Sequence, residues 1–272
     1  MRNKLRMVVL LLPFALCLTG CYNGAKERAV QEFRIAVQTV EGNNKKLQNG
    51  IARLEGMIDS GKPPLDPGTV EQARAAVSEA RRSLVEIPQL PENAEDIAAQ
   101  TEKLQKCSDC TRILDLLDAA GADLSASIRR MKQVTNPNYV FIENRLLHLE
   151  HITEIDAVTH DHDPQGRLGE EGGYTSCLYF STDQIDQNQV PGYLLIDKGT
   201  AAGGSIEVYA SQEDAQARIS QLLQQQEDDE SVPFGTCLVC GTVVIMVSAL
   251  LTKKQQIEME ETICESLTRL SY

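Results

Sequence analysis

Apolar side chains recur with helical spacing through the first half of the chain. They occupy alternating steps of three and four residues, with one polar position: Val30, Phe33, Val37, Val40, Asn44, Leu47, Ile51, Leu54 and Ile58. This spacing is typical of a coiled-coil seam, in which a buried Asn fixes the register and the number of helices. A local helix break at Gly42–Asn44 is the alternative interpretation of the polar position.

Two more helices are predicted after the first. Pro63 and Pro64 end the first helix, a second seam runs from Val70 to Ile87, and a third runs from about Glu92 to Val134. The connections are short, and short connections favour antiparallel neighbours. Residues 21–136 are therefore predicted to form a coiled-coil-like, antiparallel three-helix stalk, and self-association of this stalk is a candidate interaction.

The pattern changes after residue 138, where short apolar strands alternate with helices. The predicted elements are a helix at 139–149, strands at 152–159, 174–180 and 205–209, a helix from Ser211 to about Gln225, a strand at 241–248 and a helix from Thr252. This order predicts that residues 138–272 form a small α+β domain, an antiparallel sheet with helices over one face. Lys198 to Gly204 is predicted to be a flexible, glycine-rich connection.

One apolar segment allows two interpretations. Residues 234–251 carry no charge and are followed by Lys253 and Lys254, so by length they could cross a membrane as a helix. The most apolar part, Val243–Val247, is rich in β-branched residues, which favour strands. A buried strand is the prediction, and a membrane span is the alternative.

The N-terminus has the organisation of a secretory signal: basic residues, an apolar run from Met7 to Leu18, then small residues. Leu18-Thr19-Gly20-Cys21 resembles the lipobox of bacterial lipoproteins. That resemblance implies cleavage of the signal peptide (residues 1–20) between Gly20 and Cys21. It also implies acylation of Cys21 with diacylglycerol and palmitate, and a lipid anchor on the extracytoplasmic face of the cell membrane. An ordinary signal peptide with a chance Cys is the alternative.

The composition narrows the classes of partner. The net charge is −13, the wrong sign for binding phosphate backbones, so nucleic acid is not an expected partner. Aromatic residues make up 4% of the chain and Trp is absent, which disfavours stacking on sugars or bases. An acidic body is also repelled by anionic membranes, so a membrane would have to be engaged through the N-terminal lipid.

The distal segment carries a resemblance to a group of known proteins. Its motifs are Ile155–Thr159, Asp161–Gly166, Gly172–Thr175, Asp197–Thr200 with Gly203–Tyr209, and Cys240–Val244. Together they resemble the C-terminal domain of uncharacterised surface lipoproteins of Gram-positive gut bacteria, and are similar to chains labelled extracellular-matrix-binding proteins. The resemblance implies adhesion, with an extracellular or envelope protein as the candidate partner, and it transfers no catalytic residue.

One loop partly matches a calcium-binding pattern. Asp161, Asp163, Gln165 and Gly166 occupy positions 1, 3, 5 and 6 of such a loop. Gly172 stands where a bidentate Glu is expected. Calcium is thus a candidate cofactor, with Glu170 or Glu171 as the further acidic ligand.

A plain turn is the alternative for this loop. A divalent-metal-dependent extracytoplasmic enzyme using Asp161, Asp163 and Glu170 or Glu171 is the rival functional prediction. No arrangement of nucleophile and base stands out, so a lipid-anchored surface protein that is not an enzyme is the leading expectation.

The remaining cysteines and the histidines are predicted mainly to pack. The cysteines are Cys107, Cys110, Cys177, Cys237, Cys240 and Cys264. Cys107 and Cys110 fall on the apolar seam of the predicted third helix, whereas Cys237 and Cys240 precede a strand. The pairing of the six stays open at this stage. The histidine spacing matches no common zinc pattern.

Overall fold

The computed structural model describes residues 17–228 and 232–270, with side chains for residues 24–227 and 232–270. Most of the predicted signal peptide and the side chain of Cys21 lie outside that description. Of the described residues, 17–61 and 70–122 form one compact unit, and 62–69, 123–228 and 232–270 belong to a second. This division falls earlier in the sequence than the predicted boundary at residues 136–138.

Four helices account for most of the chain before residue 136. They are α1 (Cys17–Ile58), α2 (Gly68–Arg82), α3 (Ala94–Lys106) and α4 (Thr111–Gln133). Helix α1 continues without interruption through Asn44, so the alternative of a local helix break at Gly42–Asn44 is wrong. The second helix ends at Arg82 and not at Ile87, five residues before the backbone that Pro88 restricts.

The single helix predicted from Glu92 to Val134 is two helices, interrupted at residues 107–110. Polar side chains in this loop form hydrogen bonds with main-chain groups at the two helix ends. The Ser108 hydroxyl donates to the carbonyl of Gln105 (2.7 Å), and the Asp109 carboxylate accepts from the amide of Thr111 (2.9 Å). Short polar side chains compete in this way with helical hydrogen bonds, so a continuous apolar face did not guarantee a continuous helix.

The core of the first unit follows the predicted spacing of α1. Phe33, Ala36 and Val40 are buried against Ile97 and Leu104 of α3. The 3-4 spacing places the α1 residues on one face of the helix, which explains why they are buried together. Phe33 and Val40 of the predicted seam are therefore core residues, whereas the predicted Val37 is half-buried and Ala36 is buried in its place. The coiled-coil arrangement of three helices is not confirmed.

The second unit contains a five-stranded antiparallel sheet, which confirms the predicted α+β class. Its further elements are α5 (Tyr139–Leu146), β1 (Ile152–Ala157), β2 (Ser176–Thr182), α6 (Leu195–Lys198), β3 (Gly203–Val208), α7 (Gln212–Asp228), β4 (Phe234–Cys240), β5 (Val243–Ser248) and α8 (Lys253–Thr268). The strand order is β1-β2-β3-β5-β4, and every neighbouring pair is antiparallel. The supposedly flexible connection at 198–204 instead holds the end of α6, a 3-10 turn and the start of β3.

Helices cover both faces of this sheet, and the prediction of one covered face is wrong. On one face, Ile206, Ile245 and their strand neighbours pack with α5 and α8. On the other face, Val244 and Met246 pack with α6 and α7. Successive residues of a strand point to opposite faces, so the uninterrupted apolar run of β5 requires partners on both sides.

The uncharged segment 234–251 forms the β4–β5 hairpin, so the membrane-span alternative is wrong. Among the described helices, none combines the length and apolar character needed to cross a membrane. Strand β4 was not predicted. Gly241 turns the hairpin at a φ of +68°, where a Cβ would come within 2.4 Å of Val134. Only glycine tolerates both the positive φ and the close approach of Val134.

Candidate functional site

An open cleft of about 610 Å³ lies in the second unit, beside the residues that follow β1 and precede β2. It is lined by residues 136–139, 158–160, 168–169 and 175–177. The lining combines main-chain groups with the side chains of Tyr139, His160 and Thr175. Clefts of this size are the ordinary setting of small-molecule or peptide-segment recognition.

One wall of the cleft is the turn that leads into α5. Asn136 has a φ of +45°, and its main-chain amide donates to the hydroxyl of Thr242 (2.7 Å). Its side-chain oxygen accepts from the Thr175 hydroxyl (2.7 Å). Asn138 caps α5 by accepting from the amide of Phe141 (2.9 Å). These bonds hold the turn in place and leave Tyr139 49% exposed at the rim.

Thr159 and His160, which also line the cleft, belong to the turn at residues 159–162. His162 Nε2 and Asp197 Oδ1 lie 2.9 Å apart in a hydrogen bond, which ties this turn to α6. Asp197 also accepts from the amide of Leu194 (3.0 Å). The main-chain bond from Leu194, followed by the bond from His162, holds the pKa of Asp197 below its ordinary value. The residue before Leu194 is Tyr193, which is 94% exposed.

The predicted calcium loop is organised around Asp163. Its carboxylate accepts from the amides of Gln165 (3.0 Å), Arg167 (2.7 Å) and Leu168 (2.8 Å), and from the hydroxyl of Tyr174. Burial favours a higher pKa for this carboxyl, but the four hydrogen bonds outweigh it and hold the pKa below the ordinary value. Asp163 thus fastens the loop at residues 163–174, as an Asx turn does.

Gln165 reaches from this loop into a buried polar network. Its side-chain nitrogen Nε2 donates to Glu207 Oε1 (3.1 Å), and its side-chain oxygen accepts from Arg218 (3.0 Å). Arg218 of α7 binds both carboxylate oxygens of Glu207, at 2.8 and 3.0 Å, and Tyr209 donates to the same carboxylate at 2.7 Å. Glu207 is fully buried, so its charge is stabilised by these partners in place of water.

The network raises the pKa of the tyrosines that join it. Burial, with the nearby Glu207, raises the pKa of Tyr209 far above its ordinary value. Burial raises the pKa of Tyr179 to about 12. Both phenols therefore stay protonated and serve as neutral hydrogen-bonding groups at neutral pH.

Sequence reasoning missed this network. A lone Glu between Ile206 and Val208 in a strand suggests a solvent-facing position, because helices were expected over only one face. The available signal was the single Arg among the polar residues of α7, Arg218, which could neutralise one buried carboxylate. Its pairing with Glu207 required the second covered face of the sheet.

The residues predicted to bind calcium differ in their hydrogen bonding and exposure. Asp163 is half-buried and Gln165 is exposed, and both make the hydrogen bonds described above, whereas Asp161 and Glu170 are exposed. In the part of the chain that the structure describes, no three His, Cys, Asp or Glu side chains are grouped as metal ligands. A cation at this loop would have to compete with the four donors on Asp163. Calcium stays a prediction with a test given below.

The cysteines differ from the predicted arrangement. Cys107 is exposed and Cys110 is half-buried in the loop between α3 and α4, so they do not lie on a continuous helical seam. Cys237 packs on the α7 side of the sheet, whereas Cys240 belongs to the core under α8. The sulfur atoms of Cys240 and Cys264 are 2.9 Å apart.

In comparisons with known proteins, no family model, curated protein or solved structure matches the chain. The resemblance to surface lipoproteins therefore stays an expectation based on the quoted motifs.

Proposed function

We propose that this protein is a lipid-anchored bacterial surface lipoprotein whose N-terminal helices form a stalk that displays an α+β interaction domain. The lipobox-like segment ending at Cys21 supports the anchor. The long helix α1, on the order of 55 Å from Cys21 to Ile58, supports the role of the helical segment as a stalk. The membrane is engaged through the lipid, and an extracellular or envelope protein is the partner of the second unit.

The exposure of two tyrosines carries the assignment of an interaction domain. Tyr174, Tyr179 and Tyr209 are at most 3% exposed, whereas Tyr139 and Tyr193 are 49% and 94% exposed. Exposed tyrosines are enriched where proteins recognise other proteins, because the ring offers a large contact area and a hydroxyl. In a chain with so few aromatic residues, their position at the cleft rim and beside α6 favours recognition of a protein segment.

The chemistry of the cleft favours an extended polypeptide as the ligand. Thr159 and His160 supply polar side chains beside the apolar side chains of Val158 and Leu168, whereas Asn136 and Thr175 bond to each other. The net charge of −13 favours a partner segment that carries positive charge, because electrostatic complementarity speeds association.

The anchor is tested by growing cells that express the full chain with an alkyne-labelled fatty acid. We expect label on the wild-type protein and its recovery with the membrane fraction. The variant Cys21→Ser should carry no label and should be found in the soluble fraction. Labelling that persists in Cys21→Ser, or the absence of label from both proteins, would contradict the proposed anchor.

Recognition is tested with immobilised collagen, fibronectin and laminin as probes, applied to residues 22–272. We expect binding to at least one probe, weakened about tenfold or more by Tyr139→Ala or Tyr193→Ala. Leu250→Ala removes an exposed apolar side chain elsewhere and should leave binding unchanged. Binding to none of the three, or chelator-sensitive hydrolysis of a substrate that Asp161→Ala abolishes, would count against adhesion.

A further inference from the structure

Two cysteines from distant parts of the second unit meet inside its core. Cys240 ends strand β4 and is 2% exposed, while Cys264 lies in α8 and is half-buried. Their sulfur atoms are 2.9 Å apart although the residues are 24 positions apart in sequence. A disulfide needs the sulfurs at about 2.05 Å, so a closer approach of about 0.9 Å is sufficient.

The fold excludes the pairing that the sequence motif suggests. Cys237 and Cys240 form a C-x-x-C pair, but residues three apart in a strand point to opposite faces of the sheet. Cys237 accordingly packs with the core that contains Val244 and Met246, and Cys177 belongs to that same core. Among the described cysteines, Cys264 is thus the partner on the Cys240 side of the sheet.

We propose that Cys240 and Cys264 form a disulfide bond once the chain has been exported. The proposal rests on the proposed function only for the oxidising surroundings, since the approach of the two sulfurs is a property of the fold. The bond would fasten the β4–β5 hairpin to α8. This joins an edge of the sheet to the helix that covers it.

The oxidant is a disulfide-bearing molecule, either a thiol–disulfide oxidoreductase or a low-molecular-weight disulfide. The Cys264 thiolate attacks one sulfur of that disulfide, forms a mixed disulfide and expels the first thiolate. The Cys240 thiolate then attacks the Cys264 sulfur, which forms the Cys240–Cys264 bond and expels the second thiolate. The two electrons and two protons lost by the cysteine thiols end on the reduced oxidant.

The surroundings of the pair suit this order of attack. Cys264 is the more exposed of the two, so an oxidant reaches it first. The hydrogen bond between the two thiols lowers the pKa of Cys264 and, together with burial, raises the pKa of Cys240, so Cys264 has the larger thiolate fraction.

The test uses reduced residues 22–272 carrying Cys107→Ser and Cys110→Ser, exposed to oxidised glutathione. After alkylation and proteolysis, we expect the Cys240 and Cys264 peptides to be joined. The melting temperature should rise by roughly 5–10 °C on oxidation and fall again with a reductant. The same shift should persist in Cys237→Ser, on the opposite face of the same strand, and disappear in Cys264→Ser.

Alkylation of both cysteines after oxidation would overturn the proposal. A bond to Cys237 that leaves Cys240 alkylated, located by fragmenting the joined peptides, would overturn it as well. Peptide mapping of the protein with Cys240 and Cys264 intact gives this answer even if Cys264→Ser fails to fold. Because glutathione is added to the purified protein, the outcome does not depend on export. Fatty-acid labelling of Cys21 tests export separately, so failures of the two proposals are distinguishable.

Discussion

Asn44 binds the main chain of Val85 with both ends of its side-chain amide. Its nitrogen donates to the Val85 carbonyl (2.8 Å), and its oxygen accepts from the Val85 amide (3.1 Å). Val85 lies in the non-helical segment between α2 and α3, so it has no helical partners for these groups. The polar residue on the α1 seam thus holds a connecting segment of the first unit in place.

Asn44→Asp should lower the free energy of unfolding by about 1–3 kcal/mol, because Asp keeps the shape but cannot donate to the Val85 carbonyl when ionised. Urea unfolding followed by circular dichroism at pH 7 measures this change. Asn49→Asp is the matched control on an exposed position of the same helix, and it should shift stability by less than about 0.5 kcal/mol. Equal effects of the two substitutions would show that the Val85 contact contributes little.

Two glycines in α1 should respond differently to alanine. A Cβ at Gly56 would meet no atom within 4 Å. Gly56→Ala should therefore raise the free energy of unfolding by up to about 1 kcal/mol, because alanine has the higher helix propensity. A Cβ at Gly50 would lie 2.9 Å from Leu117, which is 1% exposed, so Gly50→Ala should lose that gain to crowding. Thermal melts of the two variants test the close approach of α1 and α4 within the first unit. A similar gain in both would contradict it.

Arg218→Met should lower the free energy of unfolding by about 3–5 kcal/mol, because it leaves the carboxylate of Glu207 buried without its cationic partner. Arg112→Met is the control: Arg112 pairs with Glu79 at 2.6 Å, but its side chain is 76% exposed, so the loss should be below about 1 kcal/mol. Chemical unfolding of the intact protein measures both. A loss of similar, small size in both variants would argue against a structural role for the buried pair.

Asp163→Asn should destabilise the protein by about 1–3 kcal/mol at pH 7, because the amide side chain accepts fewer of the four hydrogen bonds. The folded pKa of Asp163 is depressed, so its contribution is fully present above the unfolded pKa of about 3.9 and is lost as the pH falls through the folded pKa. The difference between wild type and variant should therefore narrow below about pH 4. Melts from pH 2 to pH 7 check this, with the exposed Asp161→Asn as the variant that should change little.

The same two variants separate a turn from a calcium site. If Asp163 only fastens the loop, Asp163→Asn should lower the melting temperature equally in millimolar calcium and in chelator. If calcium binds, wild type should melt higher in calcium, by the equivalent of about 2.7 kcal/mol at a hundred times the dissociation constant, and Asp161→Asn should also erase the shift. Calcium melts of wild type thus decide between the two interpretations.

The helical and strand patterns depended on local spacing and were therefore accessible from the sequence. The buried positions of α1 from Phe33 to Leu54 and the helix starts at Ser211 and Thr252 depend on a few neighbouring positions. The structure confirms both starts, where Ser211 and Thr252 cap α7 and α8. The α+β class followed from the change of period after residue 138. The expectations that failed, such as the continuous helix across Cys107–Cys110, ignored polar side chains that compete for main-chain groups.

The contacts that distinguish this protein join residues far apart in sequence, and only the tertiary structure decided them. Burial of Glu207 with Arg218 required helices on the second face of the sheet, which the apolar sequence of a strand alone does not predict. The Cys240–Cys264 approach depended on which face of β4 each sulfur takes and on where α8 packs. Periodicity places a side chain on a face of its own element, but the partner on that face is set by how the elements pack together.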